Sequence, residues 1–255
     1  MMSFIQCEGL IKGYGRGDGA VTAVQGIDLS IEKGELIAIM GESGSGKSTL
    51  LSILGVLNTP TSGRYRVGEM DVYQLSQEER ADFRRKFLGF VFQSFHLVPY
   101  LTVKENVMLP LVPAAMKGRE KGRLAEEALA RVGLRGKANR LPSQVSGGEQ
   151  ERVAIARAIV NRPPILLADE PTGNLDSKTS REIMDLLKNL NSEGMTILMV
   201  THNPECAQFA GRILRIADGL LISEERLGGS TVLHEEDNGS GVPSDKVARV
   251  LTATV

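Results

Sequence analysis

GESGSGKS at residues 41–48, with the apolar run ELIAIM at 35–40 before it, decides the fold of this chain. The apolar run has the length and composition of a buried strand, and a helical pattern follows from 47 to 57. Glycines at a strand-to-helix junction let backbone N–H groups turn inward around an anion, and the helix N-terminus adds partial positive charge. This pattern, which ends in Gly-Lys-Ser, predicts a phosphate-binding loop.

The phosphate-binding loop supplies most of the residues that we expect to hold a nucleotide. Lys47 is expected to neutralise β- and γ-phosphate oxygens, and the Ser48 hydroxyl is expected to bind Mg²⁺. We expect the nucleotide to be ATP, contacted by Gly41, Ser43, Gly44, Ser45, Gly46, Lys47, Ser48 and Thr49.

Two further apolar runs end in polar residues that suit the same site. ILLADE at 165–170 ends in Asp169 and Glu170, and MTILMV at 195–200 is followed by Thr-His-Asn, which contains His202. Ligands bind at the carboxyl ends of strands in open α/β sheets, so these side chains should face the phosphate-binding loop. We expect Asp169 to share Mg²⁺ with Ser48, Glu170 to accept a proton from the attacking water, and His202 to sense or polarise the γ-phosphate.

The remaining patterns predict an α/β fold. Apolar runs and turn signals alternate from 4 to 39, which indicates antiparallel strands, and helical periodicity at 119–133 and 146–161 indicates an inserted helical subdomain at 94–160. ILLADE and MTILMV flank a helical stretch at 176–193, as in a β-α-β unit of a parallel sheet. The expected fold is a P-loop NTPase core with an antiparallel β subdomain and an inserted α-helical subdomain over 1–225, followed by a polar, mobile tail at 226–255.

Composition limits the location and the partners of the chain. Its 255 residues carry 30 Lys and Arg against 31 Asp and Glu, so the overall charge lacks the basic excess of a nucleic-acid-binding protein. The two cysteines are far apart in the sequence, which indicates a reducing compartment. The sequence contains no run of about twenty apolar residues, so we expect no membrane-spanning helix. We therefore expect a cytoplasmic protein that binds no nucleic acid.

VSGGEQERVAIARAI at 145–159 resembles the signature segment of the ABC transporter family and the helix that follows it. The resemblance implies that two copies form a homodimer around ATP, with Ser146, Gly147, Gly148 and Glu149 closing over nucleotide bound by the other copy. Tyr14 resembles the aromatic residue that stacks on adenine. Gln93 resembles the glutamine that reaches Mg²⁺ and the attacking water, and His202 resembles the switch histidine. The segment Asn174–Leu175–Asp176 resembles the loop through which the two subunits of the family communicate.

GFVFQSFHLVPYLTVKENVMLPL and LLADEPTGNLDSKT resemble the group of this family that contains macrolide exporters and lipoprotein-releasing ATPases, MacB and LolD. The resemblance implies an ATP-hydrolysing subunit at the inner face of the cytoplasmic membrane that drives a separate membrane subunit, docked near Phe95 to Thr102. Export, lipoprotein extraction and periplasmic mechanotransmission remain open, as does the regulation of cell-wall hydrolases. The other alternative is a soluble ABC ATPase of DNA maintenance or translation.

Two signature positions depart from the usual pattern of the family. Val145 stands where Leu is usual, and Glu149 where Gln is common. Glu151 adds an acid beside the signature, and we expect it to affect the affinity for a negatively charged nucleotide.

Overall fold

The computed structural model describes residues 3–15, 17–227 and 231–233. The strands are β1 (Ile5–Tyr14), β2 (Val21–Ile31), β3 (Leu36–Met40), β4 (Ser62–Val67), β5 (Met70–Asp71), β6 (Leu88–Val91), β7 (Ile165–Asp169), β8 (Thr196–Val200), β9 (Arg212–Ala217), β10 (Leu220–Arg226) and β11 (Thr231–Leu233). The α-helices are α1 (Lys47–Leu54), α2 (Gln77–Phe87), α3 (Val103–Met108), α4 (Gly118–Arg131), α5 (Gly147–Ile159), α6 (Ser177–Ser192) and α7 (Pro204–Ala207).

Two β-sheets form the frame of the molecule. The larger sheet has the order β11-β10-β9-β3-β8-β7-β6, and its strands from β9 to β6 are parallel. The smaller sheet, in the order β2-β1-β4-β5, is antiparallel. The predicted P-loop core and antiparallel subdomain are confirmed. ELIAIM itself becomes β3 in the middle of the parallel sheet, outside the antiparallel one.

Alternation along the central strands divides the apolar core in two. Leu36, Ala38 and Met40 of β3 pack into a core with the helical segment between β6 and β7. Ile37 and Ile39 pack on the opposite face, with α1 and the antiparallel sheet. Successive side chains of a strand point to opposite faces, so a continuously apolar strand such as β3 is needed to bury both. The central strands are thereby fixed from two sides.

Capping fixes where several helices begin. The side chains of Ser76, Thr102 and Ser146 each accept a hydrogen bond from the backbone N–H of a glutamate three residues later. The carboxylate of that glutamate accepts a hydrogen bond from the backbone N–H of the capping residue. Such reciprocal capping satisfies two N–H groups that a helix start leaves unpaired. α1 ends at Leu54, three residues before the predicted end, because Val56 takes a left-handed conformation (φ 54°).

Every helix from α3 to α5 lies between β6 and β7, where the sequence predicts the helical subdomain. The chain end differs from the expected boundary at 226. Arg226 is the last residue of β10, and Thr231–Leu233 pairs with β10 as β11, so paired strands extend beyond that boundary. Leu227 is also described, and the remaining residues of the predicted mobile tail, 228–230 and 234–255, lie outside the described residues. Within the described part of the chain, no helix combines the length and apolar character needed to cross a bilayer.

Candidate nucleotide-binding site

The phosphate-binding loop is held so tightly that two of its glycines admit no side chain. A Cβ at Gly41 would lie 2.1 Å from the Ile216 carbonyl oxygen, and one at Gly46 would lie 2.1 Å from the Ala23 carbonyl oxygen. Gly46, with φ 103°, also takes a backbone conformation that residues with a Cβ rarely adopt. The loop therefore packs closely against the backbone of β2 and of β9. A phosphate can approach it only from the side that faces away from these two strands.

Lys47 is an almost fully buried cation, 7% exposed. Its ammonium group contacts the Glu42 carbonyl oxygen at 2.5 Å and the Ser45 hydroxyl at 3.4 Å, both neutral partners. A buried charge is costly unless a charge of opposite sign compensates it. The phosphate groups of a nucleotide would provide that compensation.

Ser48 and Asp169 come together at the mouth of the loop, as the sequence predicts. The Ser48 hydroxyl donates to Asp169 Oδ1 at 3.2 Å. Burial raises the pKa of Asp169, as does the neighbouring Glu170, while the Ser48 hydrogen bond and Lys47 act in the opposite direction. Two hard oxygen donors beside a phosphate loop suit Mg²⁺, which prefers one or two protein ligands plus phosphates and water. The described residues contain no cluster of three or more His, Cys, Asp or Glu for a metal held by protein alone.

Glu170 lies where three elements meet. Its carboxylate accepts from Gln93 Nε2 at 2.9 Å and lies 3.1 Å from His202 Nδ1. The residue takes a left-handed conformation (φ 48°), and its N–H donates to the Val200 carbonyl oxygen at 3.0 Å. Such a conformation costs free energy in a residue with a Cβ, and it persists where the surroundings enforce it. Gln93 reaches the acid because β6 ends at Val91, two residues before it.

The loop with Asn174, Leu175 and Asp176 joins this acid to the signature segment. Asn174 Nδ2 donates to the Gln93 carbonyl oxygen at 2.9 Å, and Leu175 packs beside Gly147. Asp176 caps α6 by accepting from the Thr179 backbone N–H at 3.0 Å and from the Thr179 hydroxyl at 2.6 Å. These bonds lower the pKa of Asp176 and keep it ionised.

The signature residues form the capped start of α5. Ser146 accepts from the Glu149 N–H at 3.3 Å, and the Glu149 carboxylate accepts from the Ser146 N–H at 3.0 Å, which lowers its pKa. Gly148 lies against Thr179, whose methyl group would be 2.4 Å from a Cβ at this position. This turn therefore packs against α6 and its preceding loop, Glu149 also pairs with Lys137 at 3.2 Å, and Ser146 and Gly147 are exposed.

Tyr14 lies at the end of β1, 44% exposed. Its hydroxyl accepts from Asn58 Nδ2 at 2.5 Å, and the Lys12 ammonium lies 5.0 Å from the centre of its ring. Tyr14 pairs with Val21 of β2, the strand whose Ala23 carbonyl presses on Gly46. The ring is therefore exposed near one flank of the phosphate loop, and adenine stacking remains a prediction.

Two residues that the sequence reasoning missed fix the segment from Phe95 to Thr102. Arg157 of α5 donates to the Phe95 and His96 carbonyl oxygens, both at 2.6 Å. Asn106, fully buried, accepts from the Val98 N–H and donates to the carbonyls of Val98, Leu101 and Thr102. Tyr100 of this segment is 80% exposed.

Glu151 is buried and presents no exposed charge beside the signature, which corrects the expectation that it affects nucleotide affinity through its charge. It is 1% exposed, and its Oε1 has no hydrogen-bond partner within the described residues. Burial raises its pKa to about 8, partly offset by Arg157. A carboxyl group with that pKa is mostly protonated at neutral pH and carries little charge.

Comparison with known proteins adds the family. The protein-family description "ABC transporter" matches residues 24–173. The chain is 47% identical over 225 residues to the lipoprotein-releasing system ATP-binding protein LolD of Geobacter metallireducens, covering 88% of this chain and 100% of LolD. It is 49% identical to the macrolide export ATP-binding/permease protein MacB of Rhodopirellula baltica, covering 89% of this chain. The chain spans only about a third of such MacB proteins, 33% and 34% of two of them.

A solved structure has the same fold. The ATP-binding cassette MJ0796, solved as a dimer in a post-hydrolysis state with ADP and Pi, superposes with a TM-score of 0.81 at 45% identity. The match covers 88% of this chain and 99% of that one. With the family match over more than half of the chain and a full-length relative near half identity, this chain is a member of the ABC transporter family, in the group that includes the LolD and MacB ATP-binding proteins.

Proposed function

We propose that this chain is the ATP-hydrolysing subunit of an ABC transporter, in which two copies bind two MgATP and drive a separate membrane subunit. The observation that carries the proposal is the Glu170 carboxylate, held by Gln93 and His202 beside the Ser48–Asp169 pair. An acid fixed next to a phosphate loop can accept a proton from a water molecule that attacks the γ-phosphate.

The side chains divide the hydrolytic work between them. Lys47 binds phosphate oxygens, and Ser48 with Asp169 would hold Mg²⁺, which supplies positive charge for the phosphate groups when bound. Glu170 accepts the proton of the attacking water. Gln93 and His202 keep its carboxylate oriented, and His202 lies close enough to take part in the proton's onward transfer.

Each site is completed by the other copy of the chain. The exposed Ser146 and Gly147 open a helix whose first N–H groups can bind γ-phosphate. Because these N–H groups lie beside α6 in their own subunit, we propose that they act on nucleotide held by Lys47 of the second copy. Hydrolysis then removes a charge that both subunits share, and the dimer opens. The dimeric MJ0796 cassette with ADP and Pi supports this cycle.

The membrane subunit docks at the segment from Phe95 to Thr102. A neighbouring groove of about 410 Å³ is lined by Phe90, Leu109, Pro110 and Arg157, among others. Arg157 lines this groove and also binds the carbonyls of the docking segment, so the two form one continuous surface. The names of the LolD and MacB relatives favour export or lipoprotein extraction, at the inner face of the cytoplasmic membrane.

Replacing Glu170 with Gln tests the proposal. The amide keeps the size of the side chain and one acceptor oxygen for Gln93 or His202 but cannot accept the proton, so ATP hydrolysis should fall by about 10²- to 10⁴-fold. MgATP should still bind and should drive stable dimers, measured by size-exclusion chromatography. Glu205→Gln is the matched control, since Glu205 is an exposed acid lining the cavity next to Glu170. Wild-type turnover by Glu170→Gln would remove Glu170 as the base.

A further inference from the structure

A patch of apolar and cationic residues lies on the helical subdomain, outside the nucleotide site. It consists of Val112, Met116, Lys117, Arg119 and Arg123, and is called the basic patch below. Val112 is 64% exposed and Met116 is 38% exposed, and the three cations are exposed as well. Lys121 donates to the Val112 carbonyl oxygen at 3.0 Å, which ties the apolar part of the patch to α4.

Helix stability does not account for these cations. Lys117 is the N-cap of α4 and forms no capping hydrogen bond with its side chain, and Arg119 lies in the first turn. Cations at a helix N-terminus oppose the helix dipole. Within the described residues, neither Lys117 nor Arg119 forms an ion pair, whereas Arg123 pairs with Glu127. Two unpaired cations therefore occupy positions where they weaken the helix.

The charge is also unevenly distributed along the chain. Residues 94–145 contain nine Lys and Arg against four Glu, although the whole chain has a net charge of -1. A local excess of positive charge next to exposed apolar side chains matches the composition of surfaces that bind anionic lipid headgroups.

The position of the patch fits the same partner. Pro110 and Pro113 line the groove beside the proposed docking segment, and Val112 lies between them in the chain. A groove that receives a membrane subunit brings its rim close to the bilayer surface. The basic patch is the continuation of that rim toward α4.

We propose that the basic patch binds the anionic phospholipid headgroups of the bilayer surface. Lys117 and Arg119 contact the phosphates, while Val112 and Met116 enter the interface between headgroups and acyl chains. The orientation rests on the proposed function, whereas lipid binding itself can be measured on the chain alone. The contact would hold the subunit at the membrane while the nucleotide dimer opens.

Vesicle sedimentation tests this surface. The purified chain is mixed with vesicles of pure phosphatidylcholine or with 30 mol% phosphatidylglycerol, at low and physiological salt (on the order of 0.02 and 0.15 M). We expect binding to the anionic vesicles that weakens with salt. Each cation near an anionic surface is worth roughly fivefold in affinity, so Lys117→Glu with Arg119→Glu should lose at least about 25-fold. Val112→Ser with Met116→Ser should weaken binding at both salt concentrations, because apolar contacts are not screened.

A charge-matched control separates the patch from net charge. Lys33→Glu with Lys188→Glu makes the same change in charge at two exposed lysines near a different groove, the one lined by Gly34 and Lys188. This control should retain vesicle binding, and all variants should retain ATP hydrolysis. The proposal is overturned if the wild-type chain does not bind anionic vesicles, or if the patch variant and the control lose binding equally. Vesicle binding is measured independently of the ATP hydrolysis that the Glu170→Gln variant tests. A failure of the proposed function can therefore be distinguished from a failure of the lipid-binding proposal.

Discussion

At the scale of single residues, Glu151 is the side chain whose environment differs most from what its type leads one to expect. It lies within the polar stretch EQER, which is typical of an exposed helical face, yet it is buried with an unpartnered oxygen. Glu151, Ile155 and Ala158 share one buried face of α5 at spacings of four and three. This helical spacing was the one sequence signal that Glu151 is buried. Its charge favoured the opposite interpretation, an exposed position.

Burial of Glu151 makes the stability of the chain depend on pH. Its pKa rises from 4.5 to about 8 on folding, so between these pH values the folded state keeps a proton that the unfolded state has released. The free energy of unfolding therefore falls as pH rises through this window. Glu151→Gln cannot ionise, so it should be more stable than the wild type at pH 8, by on the order of a few kcal/mol, and closer to it at pH 5.

Urea denaturation at pH 5 and pH 8 measures this difference. Glu69→Gln, at an exposed turn, is the control and should change the free energy of unfolding little at either pH. An advantage of Glu151→Gln that is the same at both pH values would show that Glu151 does not change ionisation in this range.

At the scale of elements, α5 connects the signature turn at its start with the docking segment near its end. Arg157 makes the second connection by binding two carbonyls of left-handed residues, Phe95 (φ 55°) and His96 (φ 48°). Neither residue has a sequence signal for that conformation, and the contact crosses about sixty residues. The sequence therefore predicted the docking segment but not what holds it in place.

Arg157→Ala should loosen the docking segment. Losing two hydrogen bonds from a charged donor should lower the free energy of unfolding by about 1–3 kcal/mol and raise amide hydrogen exchange across residues 95–102. Arg157→Lys should restore little, because an ammonium lacks the planar fork that spans both carbonyls. Arg135→Ala, at an exposed arginine, is the control. Unchanged exchange in Arg157→Ala would contradict this role.

Most element boundaries followed from sequence because capping residues and apolar runs are local signals. Ser146 caps the helix that the sequence predicts at 146–161, and ILLADE and MTILMV became β7 and β8. The errors arose where packing decided. The apolar run GFVFQ predicts a strand at 89–93, but β6 stops at Val91, which lets Gln93 reach Glu170, and α1 stops before Val56, which takes a left-handed conformation.

At the scale of the whole molecule, the predicted site residues divide into two groups. Ser48, Asp169, Glu170, Gln93 and His202 meet within one chain, since parallel strands carry their following residues to one sheet edge. The signature residues lie apart from this group, against α6 and its loop and, through Glu149, against Lys137. No pattern within one sequence states that a second copy completes a site, and here only the family resemblance predicted it.

Mixing two inactive variants tests that assembly. Ser146→Arg blocks the signature turn and Lys47→Ala removes the phosphate ligand, so each variant alone carries a lesion in both sites of its dimer. A heterodimer concentrates both lesions in one site and leaves the other intact. Random pairing should therefore restore about a quarter of the wild-type number of intact sites, measured as ATP hydrolysis above that of either variant alone. Heterodimers that form but hydrolyse no more ATP than the separate variants would contradict a shared site.

The alternation of β3 has one more consequence. The core on the helical side contains the side chains of Leu36, Ala38 and Met40, and the core on the side of α1 contains those of Ile37 and Ile39. No side chain of β3 belongs to both cores. The central sheet therefore separates two hydrophobic cores that pack independently of each other. A protein engineer could redesign the core beneath α3, α4 and α5 while the core beneath the phosphate loop keeps its original packing.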